Sequence, residues 1–426
     1  MPKDRLFTSS YICILAANFL MFFGFWLLIP VLPFYLKETY NCPTAALGTI
    51  LSCYTVSCLC VRPFSGFLMD KLPRKPIYIF CYAMCISIFG GYIAVKTLFL
   101  FIILRALHGV AFGGVTVGGN TLCVDIMPSS RRGEGLGYYG LTNNIAMALG
   151  PMTGLFLHGK ISYDNIFIVG MTTSVIGLAC ASAVKTKKKA GNNNPASSRQ
   201  ALTKTCDSCE NTNKSLSGTH NSPILSLDRF VLIKGIPVSL SLLLLSIPYG
   251  ATTNFVAMYA NEIGLDVPTG FFFTLMAFGM GVSRIIAGKH VDRGYITQCI
   301  HWGYYPVILA FLLLGLCRFI TPTSIYTATA IFFSVPLLLG TGFGVMFPAM
   351  NSLYINLAPN NRRATATSTY LTAWDVGIGI GVVSSGVIAQ MFTFYMVYIN
   401  GAVLCIVSLL FFLKIVVPHY NRNKLR

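Results

Sequence analysis

Long apolar stretches recur along the whole chain and are separated by short polar or Pro/Gly-rich breaks. An α-helix needs about twenty apolar residues to cross roughly 30 Å of hydrocarbon, so each stretch predicts a membrane-spanning helix. Twelve helices are predicted, at residues 10–35, 45–66, 76–96, 99–123, 134–158, 163–184, 232–259, 268–288, 298–319, 324–349, 364–390 and 394–416. This pattern is typical of an all-α membrane protein.

A polar segment interrupts the apolar pattern between the sixth and seventh predicted helices. Residues 185–231 hold a lysine run at 187–189, an asparagine run and many Ser and Thr residues. They have little to bury, so a flexible, solvated linker is expected. The segment divides the chain into two predicted six-helix domains, 1–184 and 232–426.

The same segment contains a C-x-x-C motif, Cys206 and Cys209, with His220 nearby. These are too few ligands for a structural zinc site, which is usually four-coordinate. The other cysteines lie mostly inside apolar segments, where small packing residues are expected. No metal and no cofactor are therefore predicted.

An internal repeat relates the two predicted domains. It appears when the sequence is shifted on itself so that position 109 falls on position 340. Identical residues then coincide in the same order along both domains. The pairs are Gly109 with Gly340, Phe112 with Phe343, Gly113 with Gly344, Asn120 with Asn351, Pro128 with Pro359, Arg131 and Arg132 with Arg362 and Arg363, Tyr139 with Tyr370, and Gly150 with Gly381. We call this alignment the 109/340 register. A slightly smaller shift, the 62/284 register, aligns Arg62, Gly66 and Asp70 with Arg284, Gly288 and Asp292.

Composition bias matches scattered glycines, but it does not align these loops in order. We therefore predict two pseudo-symmetric six-helix bundles with a solute site at their interface, near the bilayer midplane.

The placement of charge predicts the orientation of the chain. Its net charge is +18, although only 10% of its residues are charged and 54% are hydrophobic. The basic residues fall in alternate loops, and only Lys37, Lys96, Lys160 and Arg318 fall on the side opposite the termini. The positive-inside rule then puts both termini and the linker on the cytoplasmic side of the inner (plasma) membrane. Because topology explains the basic surplus, no nucleic-acid partner is expected.

A few polar side chains lie at predicted membrane depth, where they are expensive to place and mark a solute path. They are Asn18, Asn120, Asn143, Asn144, Asn254, Asn351 and Asp375. The 109/340 register superimposes Asn144 on Asp375, so both are expected to face one cavity. Asp375 is the only acid predicted near mid-membrane, and we expect it to carry a coupling proton or to meet a cationic group on the solute. The alternative is a carboxyl satisfied by neighbouring hydroxyls or amides.

The loop G-F-L-M-D-K-L-P-R-K at 66–75, with its weaker copy G-K-H-V-D-R-G at 288–294, resembles the loop after the second helix of major facilitator superfamily transporters. The resemblance covers nearly the whole chain and implies the major facilitator fold. It also implies a cytoplasmic conformational latch formed by Gly66, Asp70, Arg74, Asp125 and Asp292. The alternative is an ordinary solvated basic loop. Pro73 stands where the family usually has Gly, so the turn is expected to differ locally.

Two further motifs resemble the drug and metabolite efflux branch of this superfamily, the drug:proton antiporter-1-like transporters. Arg105, in R-A-L-H-G, resembles a fourth-helix arginine implicated in proton coupling, and the alternative is an arginine that snorkels near the outer end of its helix. The segment L-G-P-M-T-G at 149–154 resembles a Gly-Pro element of the fifth helix that accompanies antiport. Pro151 removes a backbone hydrogen bond while Gly150 and Gly154 permit close contact, so a hinge is expected there.

These features favour a secondary active transporter that moves a small organic solute by alternating access, as proton-coupled efflux. A proton-coupled importer, such as a sugar or nutrient symporter, is the alternative. An integral-membrane enzyme would need a cluster of His, Asp or Glu, and the sequence offers only six His and thirteen acids with no such cluster. A channel is disfavoured because two repeated halves imply a rocking pair. The expected partners are the solute, protons and the lipid bilayer, and a monomer is expected.

Overall fold

The structure, a computed structural model, describes residues 5–128, 131–185, 231–359 and 363–425. Twelve long α-helices lie in these ranges, and we number them α1 to α12 in chain order. They are α1 (Ser9–Leu28), α2 (Thr44–Lys71), α3 (Arg74–Ala94), α4 (Leu98–Ile126), α5 (Arg132–Leu157), α6 (Tyr163–Ala183), α7 (Ile236–Glu262), α8 (Gly270–Asp292), α9 (Ile296–Ile320), α10 (Ile325–Leu357), α11 (Arg363–Met391) and α12 (Phe394–Phe411). The shorter helical segments are Leu32–Tyr40, Ile233–Gly235, Phe412–Val416 and Val417–Asn423. The predicted all-helical architecture is confirmed.

Counted over the described residues alone, ten of the twelve helices are long and apolar enough to cross a membrane, so the chain is a multi-pass membrane protein. The other two, α5 and α8, pack against each other between the two halves of the molecule. They also bring asparagine and arginine side chains to the central cavity described below.

The prediction of one continuous first helix over 10–35 was wrong. α1 ends at Leu28, and a separate helix, Leu32–Tyr40, follows it. Pro30 and Pro33 explain the break, because proline lacks the backbone N–H that a helix interior needs.

Consecutive helices run in opposite directions, and we call the side where α1 begins the terminal side and the opposite side the far side. On the terminal side, the backbone N–H of Lys185 after α6 donates to Ser10 Oγ in α1 at 3.0 Å. The backbone N–H of Leu425, near the end of the chain, donates to the carbonyl of Asn356 in α10 at 2.9 Å. Both ends of the described chain therefore lie on the same side.

The helix boundaries follow the internal repeat of the sequence. α4 ends at Ile126 and α10 ends at Leu357, two positions that the 109/340 register superimposes. α5 begins at Arg132 and α11 begins at Arg363, which the same register superimposes. The two halves therefore match to the residue at the end of their fourth helix and at the start of their fifth.

The repeat also governs how helices pack inside each half. A Cβ atom at Gly109 in α4 would overlap the backbone carbonyl of Tyr54 in α2, and one at Gly340 in α10 would overlap the carbonyl of Met276 in α8. The two glycines are related by the 109/340 register, and their partners are related by the 62/284 register. One close helix contact, which only glycine permits, is therefore made twice.

The halves meet along two helix pairs, α2 with α11 and α5 with α8, and these pairs are tightly packed on the far side. The backbone N–H of Ala45, in the first turn of α2, donates to Gln390 Oε1 in the last turn of α11 at 2.7 Å. In the second pair, Thr274 Oγ1 of α8 donates to the carbonyl of Ala148 in α5 at 3.3 Å. These contacts seal the interface at the far side.

Replacing Gly109 by alanine is expected to destabilise the protein, because the new methyl group meets the Tyr54 carbonyl and forces α4 away from α2. Overpacking of this kind costs about 1–3 kcal/mol, so the purified protein should melt several degrees lower in detergent. The matched control is Gly281→Ala in α8, where a methyl group meets nothing within 4 Å. Equal melting temperatures for the two variants would contradict the close-packing account.

Candidate functional site

A cavity of about 710 Å³ lies between the two halves. Its described walls come from α1, α2, α4 and α5 of the first half and from α7, α8, α10 and α11 of the second. Each helix of the first set corresponds to the helix six places later in the second set. Its volume falls within the roughly 300–1,000 Å³ of pockets that bind small organic molecules.

The cavity is closed towards the far side and open towards the terminal side. Lining residues near the far side are buried, with Ile29 7% exposed and Leu51 and Val382 each 3% exposed. Lining residues near the terminal side are exposed, with Leu136 at 36% and Leu371 at 43%. A solute therefore enters and leaves this conformation from the terminal side.

The cavity gathers the polar residues that the sequence predicts at membrane depth. All seven line it, namely Asn18, Asn120, Asn143, Asn144, Asn254, Asn351 and Asp375. Two are held by their own half, since Asn18 Nδ2 donates to Thr142 Oγ1 at 2.8 Å and Asn254 Nδ2 donates to the Gly250 carbonyl at 3.0 Å. The buried Oδ1 of Asn351 accepts no hydrogen bond within the described part of the chain, so it is available to a donor on a solute.

The carboxylate of Asp375 on α11 forms an ion pair with the guanidinium of Arg62 on α2. The side chains of Arg62 and Asp375 are 26% and 21% exposed, so the pair is largely enclosed but touches the cavity. Asp375 thus meets a cation of the protein itself. The sequence predicts a coupling proton or a solute cation at this carboxyl, with hydroxyl and amide partners as the alternative. This pair joins the two halves electrostatically.

Two arginines of the cavity, Arg62 and Arg284, were missed as site residues at the level of sequence. Both were noticed only as markers of the repeat, although they lie inside the predicted spans 45–66 and 268–288. A charged side chain at membrane depth is costly and almost always faces a cavity or the bundle interior. That cost is the signal that identifies both residues.

Arg105 on α4 lines the cavity and is buried, with 1% of its surface exposed. Its guanidinium carbon lies 4.7 Å from the centre of the Tyr54 ring, in cation–π contact. Its Nε and one terminal nitrogen have no hydrogen-bond partner among the residues that the structure describes. The alternative of a snorkelling arginine is wrong, because the side chain points inward.

Arg284 on α8 borders an aromatic wall of the second half. The rings of Tyr249 and Trp374 have centroids 4.9 Å apart, and those of Phe347 and Trp374 are 4.5 Å apart. The buried Nε of Arg284 also lacks a described partner. Flat apolar surfaces next to unpaired donors suit a solute that has both a ring system and a polar group.

Two of the five predicted latch residues are in contact. Arg74, at the start of α3, and Asp125, near the end of α4, form an ion pair at 2.6 Å. Both belong to the first half, so this pair fixes α3 against α4. The surroundings of Gly66 and the side chains of Asp70 and Asp292 lie outside the described part of the structure.

The predicted hinge of α5 packs against α1. A Cβ at Gly150 would lie 2.8 Å from Trp26 Cβ, and one at Gly154 would overlap the Leu27 carbonyl. Pro151 lies inside the helix between them. This face of α5 is thus held by α1, while Ala148 contacts α8 of the other half.

The predicted cysteine motif, Cys206 and Cys209 with His220, lies outside the described residues. Within the described residues, no group of three His, Cys, Asp or Glu side chains is arranged to hold a metal ion.

A membrane protein with two repeated halves around a cavity that opens to one side is a transporter of solutes. Residues 14–382 match the sequence model of the Major Facilitator Superfamily, and the chain belongs to this family. The family resemblance stated from the loop motifs is therefore confirmed, and the chain is a transporter and not an enzyme.

The chain is similar to two curated bacterial proteins and to a solved structure. It is 35% identical to the quinolone resistance protein NorA of Staphylococcus aureus over 141 residues, which cover 33% of this chain and 36% of NorA. It is 22% identical to the MFS-type transporter YhhS of Escherichia coli K12 over 409 residues, 94% of this chain and 90% of YhhS. The crystal structure of the nucleoside transporter NupG superimposes with a TM-score of 0.69 at 16% identity and covers 95% of this chain and 98% of NupG. This structural likeness shows the fold alone.

Breaking the Arg62–Asp375 pair from either side is expected to destabilise the protein. Arg62→Gln or Asp375→Asn should each cost on the order of 1–3 kcal/mol, somewhat less than for a fully buried pair because water reaches these side chains. The double variant should lose less than the sum of the single losses, since neither charge is left unpaired. Melting temperatures of the four purified proteins test this, and additive losses would contradict direct pairing.

Proposed function

We propose that this chain exports a small organic solute across the plasma membrane in exchange for protons. The observation that carries the proposal is the cavity shared by two repeated halves, closed on the far side and bridged by Arg62 and Asp375. Two such halves can rock about a central site and expose it to each side in turn.

The direction of loading follows from the proposed orientation. The basic loops and both termini favour the cytoplasm for the terminal side under the positive-inside rule. The cavity opens on that side, so a solute loads from the cytoplasm in this conformation. Similarity to NorA, whose name is that of a quinolone resistance protein, supports export over import, as does the Gly-Pro element of α5.

Asp375 is the proposed proton carrier. A proton on its carboxylate removes the negative charge and ends the ion pair with Arg62, which weakens the bridge between α2 and α11. Proton binding on one side of the membrane and release on the other thereby couple to the rocking of the halves. The guanidinium of Arg105 brings a positive charge to the same cavity, so its proposed part in coupling is electrostatic.

Asp375→Asn is expected to abolish proton-driven transport, because the amide carries neither the charge nor the exchangeable proton of the carboxyl group. Inverted membrane vesicles with an imposed proton gradient measure this directly, with the fluorescent quinolone norfloxacin as the first probe and a metabolite panel after it. The matched control is Asp164→Asn, which makes the same change at an exposed position in the first turn of α6. It should leave flux unchanged.

The direction of transport is measured by comparing inverted vesicles with intact cells. Accumulation of the probe inside inverted vesicles supports export, whereas accumulation in intact cells supports import and contradicts the proposal. Proton-dependent flux that persists in Asp375→Asn would remove this residue from the coupling mechanism.

A further inference from the structure

We infer that the transported solute is a small organic anion and that Arg284 and Arg105 are its binding residues. The inference rests on the proposed function and names the chemical class of solute for the same cavity.

The charge of the cavity lining is strongly asymmetric. Of its described residues, Arg62, Arg105 and Arg284 are cationic and Asp375 alone is acidic. Asp375 is already paired with Arg62, so two guanidinium groups have no carboxylate in a salt bridge among the described residues. Unpaired charge at membrane depth is costly to keep and indicates a ligand that completes it.

The internal repeat shows how Arg284 comes to have no acid partner. Arg62 corresponds to Arg284 in the 62/284 register, and Asn144 corresponds to Asp375 in the 109/340 register. The symmetry equivalent of the Arg62–Asp375 pair is therefore Arg284 with Asn144, and both residues line the cavity. An amide cannot neutralise a guanidinium, so the first half lacks the carboxylate that the second half supplies. Arg284 therefore pairs with a negative group on the solute.

Arg105 provides a second anion receptor deeper in the cavity. It is almost fully buried, and its Nε and one terminal nitrogen lack partners within the described residues. Its guanidinium stacks on Tyr54, which lies eight residues before Arg62 in α2. At about 1.5 Å per helical residue, Tyr54 is roughly 12 Å closer than Arg62 to the closed far side, and Arg105 lies beside it. An anion entering from the open side thus passes Arg284 and Arg62 before it reaches Arg105.

The remaining lining fits the organic part of such a solute. Aromatic pairs stand in both halves: Phe25 stacks on Phe112 at 4.3 Å, and Phe347 meets Trp374 edge-to-face at 4.5 Å between ring centroids. Rings of this kind favour a flat apolar body, while guanidinium groups favour a carboxylate, sulfonate or phosphate. The interior-negative membrane potential also drives anions outward, in agreement with export.

A matched pair of dyes tests the charge preference. Fluorescein and rhodamine 6G share a xanthene ring system but are an anion and a cation near neutral pH. Binding of each to the full-length protein in phosphatidylcholine nanodiscs is measured by fluorescence anisotropy. We expect fluorescein to bind at least about tenfold more tightly than rhodamine 6G, and Arg284→Gln or Arg105→Gln to weaken fluorescein roughly tenfold to a hundredfold. Arg284→Lys should restore part of the affinity because it keeps the charge.

Asn144→Asp separates the inference from a simple loss of folding. The new carboxylate is placed where the repeat puts an acid opposite Arg284, so it should weaken fluorescein binding as strongly as Arg284→Gln while the protein stays folded. Asn165→Asp adds the same charge at an exposed position in α6 and should leave binding unchanged. Equal or tighter binding of rhodamine 6G, or fluorescein binding that is indifferent to Asn144→Asp, would overturn the inference.

The binding assay and the transport assay test the anion site and the proposed export independently. Charge-selective fluorescein binding without proton-driven flux of any probe would support the anion site and refute the proposed export. Proton-driven flux of norfloxacin that is unaffected by Asn144→Asp, together with dye binding that ignores charge, would support export and refute the anion site.

Discussion

The ion pair between Arg62 and Asp375 is the contact on which the rest of this structure depends. Each charge alone would be costly at membrane depth, and the two come from different halves of the molecule. The pair therefore stabilises one relative position of the halves and holds α2 beside α11. Because the pair borders the cavity, a solute that enters the cavity reaches the same two groups that set this position.

The two halves are copied where packing matters and differ where the cavity needs chemistry. The glycine contacts of Gly109 and Gly340 are the same contact made twice, since a helix approach this close leaves no choice of side chain. The polar positions have no such constraint. Asn144 and Asp375 occupy equivalent places with different charge, and Arg105 corresponds to Pro336 in the 109/340 register. The two halves thus share the same helix packing, and the few positions where their sequences differ give the two sides of the cavity different charges.

Glycine brings helix backbones together both within each half and between the halves. Inside each half, backbone packs on backbone at glycines, and shifting one helix would open gaps along its whole length. Between the halves, a Cβ at Gly48 of α2 would overlap the carbonyl of Val382 in α11, and the backbone N–H of Ala45 donates to Gln390. These contacts between the halves are the ones that must break if the halves rock. α5 takes part in both, because its glycines hold α1 while Ala148 meets α8.

The sequence by itself determined the helices, the repeat and the family, because membrane spans and close glycine contacts follow from hydrophobicity and residue size along the chain. It also placed seven polar residues at the depth where the cavity lies. Only the tertiary structure decided that Asp375 meets Arg62, 313 positions away, and that Arg105 points inward. Pairing of charges depends on which helix faces stand opposite one another. That arrangement arises from the packing of whole bundles and leaves no local pattern in the chain.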